Sequence, residues 1–147
     1  MTAELVRESS AELVEAINSL IPQLSTSTPP RSAEFVEELL AQPSVYLFVY
    51  RPDVAEGEDA PILGMLSLAT FDIPTGKRAW IEDVVVDEAA RGQGAGQKLV
   101  EAAVAYAQEI GSKSVDLTSR PTREAANRLY RRAGFELRET NVYRYKG

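Results

Sequence analysis

The chain has 147 residues, no cysteine, no histidine and a formal net charge of −6. That length predicts one domain, residues 1–147, with a core large enough to hold without covalent staples. The missing residue types exclude disulfide frameworks, thiolate or imidazole metal sites and histidine-dependent triads, so proton transfer falls to Glu, Asp, Tyr, Lys, water or a chain terminus.

Other bulk features narrow the partners. An acidic chain argues against nucleic acid, whose binding proteins present a basic footprint. No apolar run approaches the ~20 residues that span a bilayer, which argues against a membrane. The first fifteen residues carry four glutamates and no apolar stretch of the kind a signal peptide needs, so the expected compartment is the cytoplasm. The charge is uneven: residues 1–60 hold 11 acids and 3 bases, residues 120–147 hold 8 bases and 3 acids. An acidic end and a basic end suit an anionic ligand meeting a basic rim, or simply two solvated faces.

In chain order, Ser9 with Glu12 fits a helix capping box, and Leu13, Val14, Ile17, Leu20 and Ile21 follow at helical spacing until Pro22. Ser25 to Pro30 is a turn cluster. A short helix follows Ser32, with Phe35, Val36, Leu39 and Leu40 on one face, and Pro43 stops it. Val45 to Tyr50 is β-branched and aromatic, hence a strand. Asp53 to Pro61 is an acidic loop. Strands are predicted over Ile62–Phe71 and Arg78–Val86, paired as a hairpin through Thr75-Gly76-Lys77. A helix covers Gly94–Ile110, with Gly111 at the left-handed C-terminal cap. Val115–Thr118 is a short strand, Thr122–Arg132 a helix ended by Ala133-Gly134, and Phe135–Arg138 and Asn141–Tyr145 are closing strands.

The order ααβββαβαββ implies an α+β fold. Its central sheet is mixed, mostly antiparallel, with one parallel βαβ pair joined by the Gly94–Ile110 helix and with helices on both faces.

The chemistry concentrates in residues 81–99, Ile-Glu-Asp-Val-Val-Val-Asp-Glu-Ala-Ala-Arg-Gly-Gln-Gly-Ala-Gly-Gln-Lys-Leu. A β-branched strand runs into a loop with Gly92, Gly94 and Gly96 that opens a helix. The first turn of a helix has unpaired N–H groups and a positive dipole end, and glycines let an anion approach them: a pyrophosphate cradle. It is neither a P-loop, since no Lys-Ser/Thr follows, nor a dinucleotide fingerprint, since Gln97 stands where that pattern needs glycine.

Arg91-x-x-Gly94-x-Gly96 after Val84-Val85-Val86 resembles motif A of the GCN5-related N-acetyltransferase (GNAT) superfamily. Asn127-x-x-Tyr130 followed by Gly134-Phe135 resembles a second signature of that family, in the right order and at the right spacing. The resemblance extends over almost the whole chain. It implies acetyl-coenzyme A as cosubstrate, with no metal. It places the coenzyme pyrophosphate on the backbone of Gln93, Gly94, Gly96 and Gln97, within the loop formed with Gly92 and Ala95, and Arg91 beside it. The backbone of Val84, Val85 and Val86 would hold the pantetheine arm, Asn127 the pantetheine or acetyl end, and Tyr130 would sit near the thioester sulfur.

The reaction so implied is acyl transfer from a thioester to an amine in a ternary complex. An alkyl amine of pKa ~10.4 is neutral only about once in 2,500 molecules at pH 7, a handicap near 4.6 kcal/mol. A base is therefore needed. The resemblance favours Glu82; Asp83, expected on the opposite face of the strand, or a water chain are the alternatives. Tyr130 is the candidate acid for the departing thiolate, although Ala126, Leu129 and Ala133 at helical spacing also suit a packing role. The oxyanion donor is expected near the Val85 or Val86 N–H. Among Arg120, Arg123, Arg128, Arg131 and Arg132, one or two are expected to meet the adenosine 3′-phosphate.

The acceptor, a small-molecule or protein amine, is left open. Its cleft is expected around Leu20–Phe35, with the Asp53–Asp59 loop as a neighbour. A homodimer is compatible with the resemblance. The alternative from another class is a non-catalytic acyl-coenzyme A-binding regulator on the same fold.

Overall fold

The computed structural model describes residues 2–147; Met1 lies outside the described residues. In chain order the elements are β1 (Thr2–Val6), α1 (Ala11–Leu20), α2 (Ala33–Ala41), β2 (Val45–Arg51), β3 (Gly64–Ile73), β4 (Gly76–Val86), α3 (Ala95–Glu109) and α4 (Glu124–Arg132). The strands form an antiparallel sheet in the order β1-β2-β3-β4.

The sheet is buried on both faces, and β2 shows why. Phe48 and Tyr50 point to one side, packing with Leu66, Leu68 and Ile81 beneath α3 and α4. Leu47 and Val49 point to the other, packing with Leu13, Ile17, Leu20, Val36 and Leu40 of α1 and α2. The two-residue alternation of a strand therefore feeds two cores.

Several sequence expectations shift. The first strand, β1, was not expected in a stretch rich in glutamate. Its period-two signal is short: Ala3 and Leu5 pack on the α3 side, and Val6 turns to the other core. The first helix is capped by Ser10 rather than Ser9, with Ser10 Oγ accepting from the Leu13 N–H at 3.1 Å. Glu12 does not close a capping box, because its carboxylate is bound by Arg51 at 2.8 and 3.1 Å. Pro22 does not end the helix abruptly but sits in a 3₁₀ turn, Ile21–Gln23. The hairpin turn is tighter than expected, because Ile73 already pairs with Gly76.

The parallel partner is present only as one bridge. Asp116 accepts from the Ile81 N–H at 2.9 Å and donates to Ala79 O at 3.0 Å, pairing with Trp80. The two closing strands are not formed: residues 135–147 belong to no strand. Gly111 and Gly134 do end α3 and α4 in the left-handed region, at φ 102° and 99°.

Candidate active site

One irregularity of β4 organises the site. The register runs Ser67↔Glu82 and then Met65↔Val85, so Asp83 and Val84 together face the single residue Leu66. This is a bulge, and Asp83 takes the left-handed conformation, at φ 50°, which in one bulge class is normally filled by glycine. The extra residue reverses the alternation. Ile81 packs on the α3 side, yet Val85, four residues later, packs on the α1 side. Glu82 and Asp83 are consequently both exposed. The expectation that they face opposite sides of the strand fails for this reason; both line one recess.

That recess lies where β4 and the Val115–Thr118 segment part company beyond the Trp80–Asp116 bridge. Its lining is Leu24, Ile81, Glu82, Asp83, Val84, Leu117, Thr118, Arg123 and Tyr130, and its volume is about 70 Å³. A larger open groove of about 430 Å³ lies on the outer side of α1 and α2, along Ser9, Ala11, Val14 and Glu37. It lacks the convergent acid, base and phenol of the smaller recess, so the smaller one is the candidate for chemistry.

Tyr130 is 8% exposed and its ring packs against Phe135, with centroids 6.1 Å apart. Burial pushes its phenol above the usual tyrosine range, with the Arg123 charge opposing. The hydroxyl makes no hydrogen bond among the described residues. Packing and a free proton at the recess thus coexist in this one side chain.

Backbone direction distinguishes the three valines. The Asp87 N–H donates to Leu63 O on the β3 side at 2.8 Å. By alternation, the N–H and C=O of Val86 and Val84 face away from β3 into the wedge, whereas Val85 faces β3.

The wedge ends at the glycine loop. Gly92 and Gly94 have φ of 82° and 77°, and the direction in which a Cβ would point is open at both. α1 and α2 have serine caps, but α3 starts at Gly94 with no side-chain cap. The N–H groups of Ala95, Gly96 and Gln97 are left free, and the first helical bond is Lys98 N–H to Gly94 O at 3.0 Å. Gly96 also has a packing role: a Cβ there would meet Leu129 Cδ1 at 2.6 Å, so its smallness lets α4 lie against α3. Gln93 is braced from below by the buried Tyr50, whose hydroxyl donates to Oε1 at 3.3 Å. Arg91 is solvated and 3.9 Å from Glu88, which leaves it available to a phosphate.

The amide nitrogen of Asn127 is committed to the backbone. Its Nδ2 donates to Arg120 O at 2.9 Å and Arg123 O at 2.7 Å, which fixes the turn into α4 and holds Arg123 at the recess. Only Oδ1 remains for a ligand. The α1–α2 connection reaches the recess through Leu24. It is held by Asn18, which pairs with the Arg31 backbone at 2.9 and 2.8 Å, and by Gln23, which donates to Asp87 Oδ2 at 2.9 Å. The Asp87 carboxyl is held below its usual range by the Ala89 N–H and by Gln23. No residue of the Asp53–Asp59 loop lines the recess.

Sequence reading missed Thr118 and the Tyr50 brace, which carry no motif, whereas Leu24 and Gln23 lie within the Leu20–Phe35 stretch expected at the acceptor cleft. It also missed Ser119, whose Oγ is enclosed without a hydrogen-bond partner. Among the described residues there is no cluster of three or more His, Cys, Asp or Glu suited to a metal, and no helix long and apolar enough to cross a membrane.

Known proteins share this fold. The model of the acetyltransferase (GNAT) family matches residues 13–135. The chain belongs to that family. A glucosamine 6-phosphate N-acetyltransferase from Oryza sativa subsp. japonica is 33% identical over 114 residues, covering 76% of this chain and 69% of the relative. An aminoglycoside acetyltransferase from an uncultured soil metagenomic sample superposes with a TM-score of 0.81 at 22% identity, covering 99% of this chain and 95% of that one. The glucosamine-6-phosphate N-acetyltransferase of Arabidopsis thaliana superposes at 0.78 and 21% identity, covering 99% of both chains. The last two likenesses establish the fold. The family match makes this GNAT protein an acyltransferase of the N-acetyltransferase type.

Proposed function

We propose that this GNAT protein transfers the acetyl group of acetyl-coenzyme A to the primary amine of a phosphorylated amino sugar, by direct attack in a ternary complex. The observation that carries the reading is the continuous path from the uncapped start of α3, along the free backbone of Val86 and Val84, to a recess holding Glu82, Asp83, Arg123 and Tyr130.

The donor fits the first part of that path. Free N–H groups and the dipole of α3 suit a pyrophosphate, with Arg91 beside it. The outward N–H and C=O of Val84 and Val86 suit the amide groups of pantetheine, and the N–H at Val86 or at the bulge suits a developing oxyanion. The thioester supplies an activated acyl group; this chain's residues handle the protons. Glu82 or Asp83, directly or through water, takes the ammonium proton. The neutral nitrogen bonds the carbonyl carbon, the C–S bond breaks as Tyr130 protonates the departing sulfur, and the second nitrogen proton, which the amide must lose, passes through water back to the Tyr130 phenolate. The phosphorylated amino sugar is favoured by the Oryza sativa relative and by a recess that pairs two carboxylates with one guanidinium. Opposite charges at one site suit an acceptor with an amine and an anionic group.

Calorimetry with coenzyme A, followed by thiol release over a panel of amines, tests the reading. Coenzyme A is expected to bind, and Gly94→Val to weaken it more than tenfold, over ~1.4 kcal/mol. Glucosamine 6-phosphate is expected to outpace polyamines and peptides. Coenzyme binding without turnover on any amine would favour the regulator.

A further inference from the structure

Tyr50 is fully buried on the interior strand β2, in one core cluster with Ala90, Ala95 and Leu99. Phenylalanine would fill that place with nothing polar to satisfy, whereas a buried phenol costs free energy unless it is hydrogen-bonded. The Tyr50 hydroxyl makes one hydrogen bond among the described residues, and that bond leaves the core. Its acceptor is Oε1 of Gln93, an exposed residue of the glycine loop. Gly64 stands opposite Tyr50 across β2 and β3, and a Cβ there would come within 3.2 Å of both Tyr50 Cβ and Leu99 Cδ1. A glycine inside a strand marks such a close approach, here of α3 to the sheet beneath the loop.

The loop itself has little else to hold it. Its ends are fixed by Ala90 and Ala95, both buried in the same cluster, but residues 91–94 are all exposed. Gly92 and Gly94 flank Gln93 at φ 82° and 77°, and glycine has the most backbone freedom to lose on being fixed. Gln93 carries the one side chain between them. Its bond to Tyr50 is the only side-chain hydrogen bond that joins residues 91–94 to the sheet among the described residues. The same bond sorts the amide: Oε1 is committed to the phenol, which leaves both Nε2 protons for a ligand at the loop.

We infer that Tyr50 is a positioning residue for the donor. Through Gln93 it holds the loop backbone in the shape that meets a pyrophosphate, and it keeps the donor side of the Gln93 amide free to join that contact. The inference rests on the donor reading above. Tyr50 does not line the recess, so its influence is confined to the phosphate end of the coenzyme.

Calorimetry with coenzyme A and with pantetheine, which lacks the pyrophosphate, tests this. Tyr50→Phe keeps the ring and removes the bond. It is expected to weaken coenzyme A about fivefold, the scale of one hydrogen bond, and to leave pantetheine as in the wild type. Gln93→Ala breaks the same bond from the exposed end without touching the core. It is expected to weaken coenzyme A at least as much, and adding Tyr50→Phe to it is expected to cost nothing further. In turnover, Tyr50→Phe is expected to raise KM for acetyl-coenzyme A while kcat holds. Unchanged coenzyme A affinity in Tyr50→Phe overturns the inference. So does a loss shared by pantetheine, which means that the core has loosened, and so does full additivity of the two substitutions. In each of those cases the wild type still binds coenzyme A and the donor reading stands; a wild type that does not bind it overturns both.

Discussion

Glu82 and Asp83 are adjacent in the chain, and a regular strand would aim them apart. The bulge aims both into one recess, so the proton has two carboxylates within one solvated pocket. If Glu82 is the base, Glu82→Gln is expected to slow turnover at pH 7 and to recover as pH approaches the acceptor's own pKa, where the amine is neutral unaided. The recovery should shift with acceptor pKa across an amine series. Wild-type rate at pH 7 in Glu82→Gln, together with a slow Asp83→Asn, would transfer the role to the neighbour. Tyr130 makes a separate prediction. Tyr130→Phe keeps the ring against Phe135 and removes only the proton, so turnover is expected to fall on the general-acid scale of about 10²–10⁴-fold with coenzyme affinity unchanged. Because burial raises its folded pKa, the unfolded chain ionises first. The stabilisation from a neutral buried phenol is complete below about pH 10 and is lost as pH rises through the folded value. Denaturant titrations above pH 10 should show that loss in the wild type and a shallower loss in Tyr130→Phe.

At the scale of elements, α3 and α4 meet through Gly96 and Leu129. Gly96→Ala forces the Leu129 side chain to move, an overpacking cost of about 1–3 kcal/mol, against which helix propensity returns about 1 kcal/mol. A net loss of stability is expected, and it should vanish or change sign in a Leu129→Ala background, measured as a double-mutant cycle by urea unfolding. Additivity of the two changes would mean the helices do not meet there. The same elements show what periodicity can reveal. α1, α2, α3 and the β2–β4 meander were legible because their apolar spacing and punctuation agree: serine caps before α1 and α2, Gly111 after α3. The glycine loop and Tyr130 were legible as a pattern joined to an element order. The bulge at Asp83 was not, because nothing in Glu-Asp-Val-Val distinguishes a regular strand from one that gains a residue opposite Leu66. β1 was hidden by its glutamate, whose partner Arg51 lies 47 positions away. The tail from Glu136 reads as strand by composition, but composition does not supply the partner a strand requires.

Over the whole molecule, the acidic N-terminal half and basic C-terminal end set a field across the site. Arg51 collects part of the acid side, bonding Glu4 at 3.1 Å and Glu12 at 2.8 Å, which joins β1, α1 and β2. α4 carries the other sign, with Arg131 and Arg132 in its last turn and Arg123 at its start. The coenzyme proposed as donor carries a pyrophosphate and a 3′-phosphate, so if it meets that end its capture is expected to depend on salt. The screening length falls from about 10 Å at 0.1 M to about 3 Å at 1 M. Over that range, KM for acetyl-coenzyme A is expected to rise several-fold while kcat holds, since those charges would act on capture rather than on the acyl transfer. Arg131→Gln with Arg132→Gln should raise KM at 0.1 M and flatten its dependence on salt. The two parameters separate the causes: a fall in kcat would place the charges in the reaction itself. A KM that ignores salt in the wild type would mean the coenzyme is held by the α3 cradle alone, and the basic end would then be no more than a solvated face.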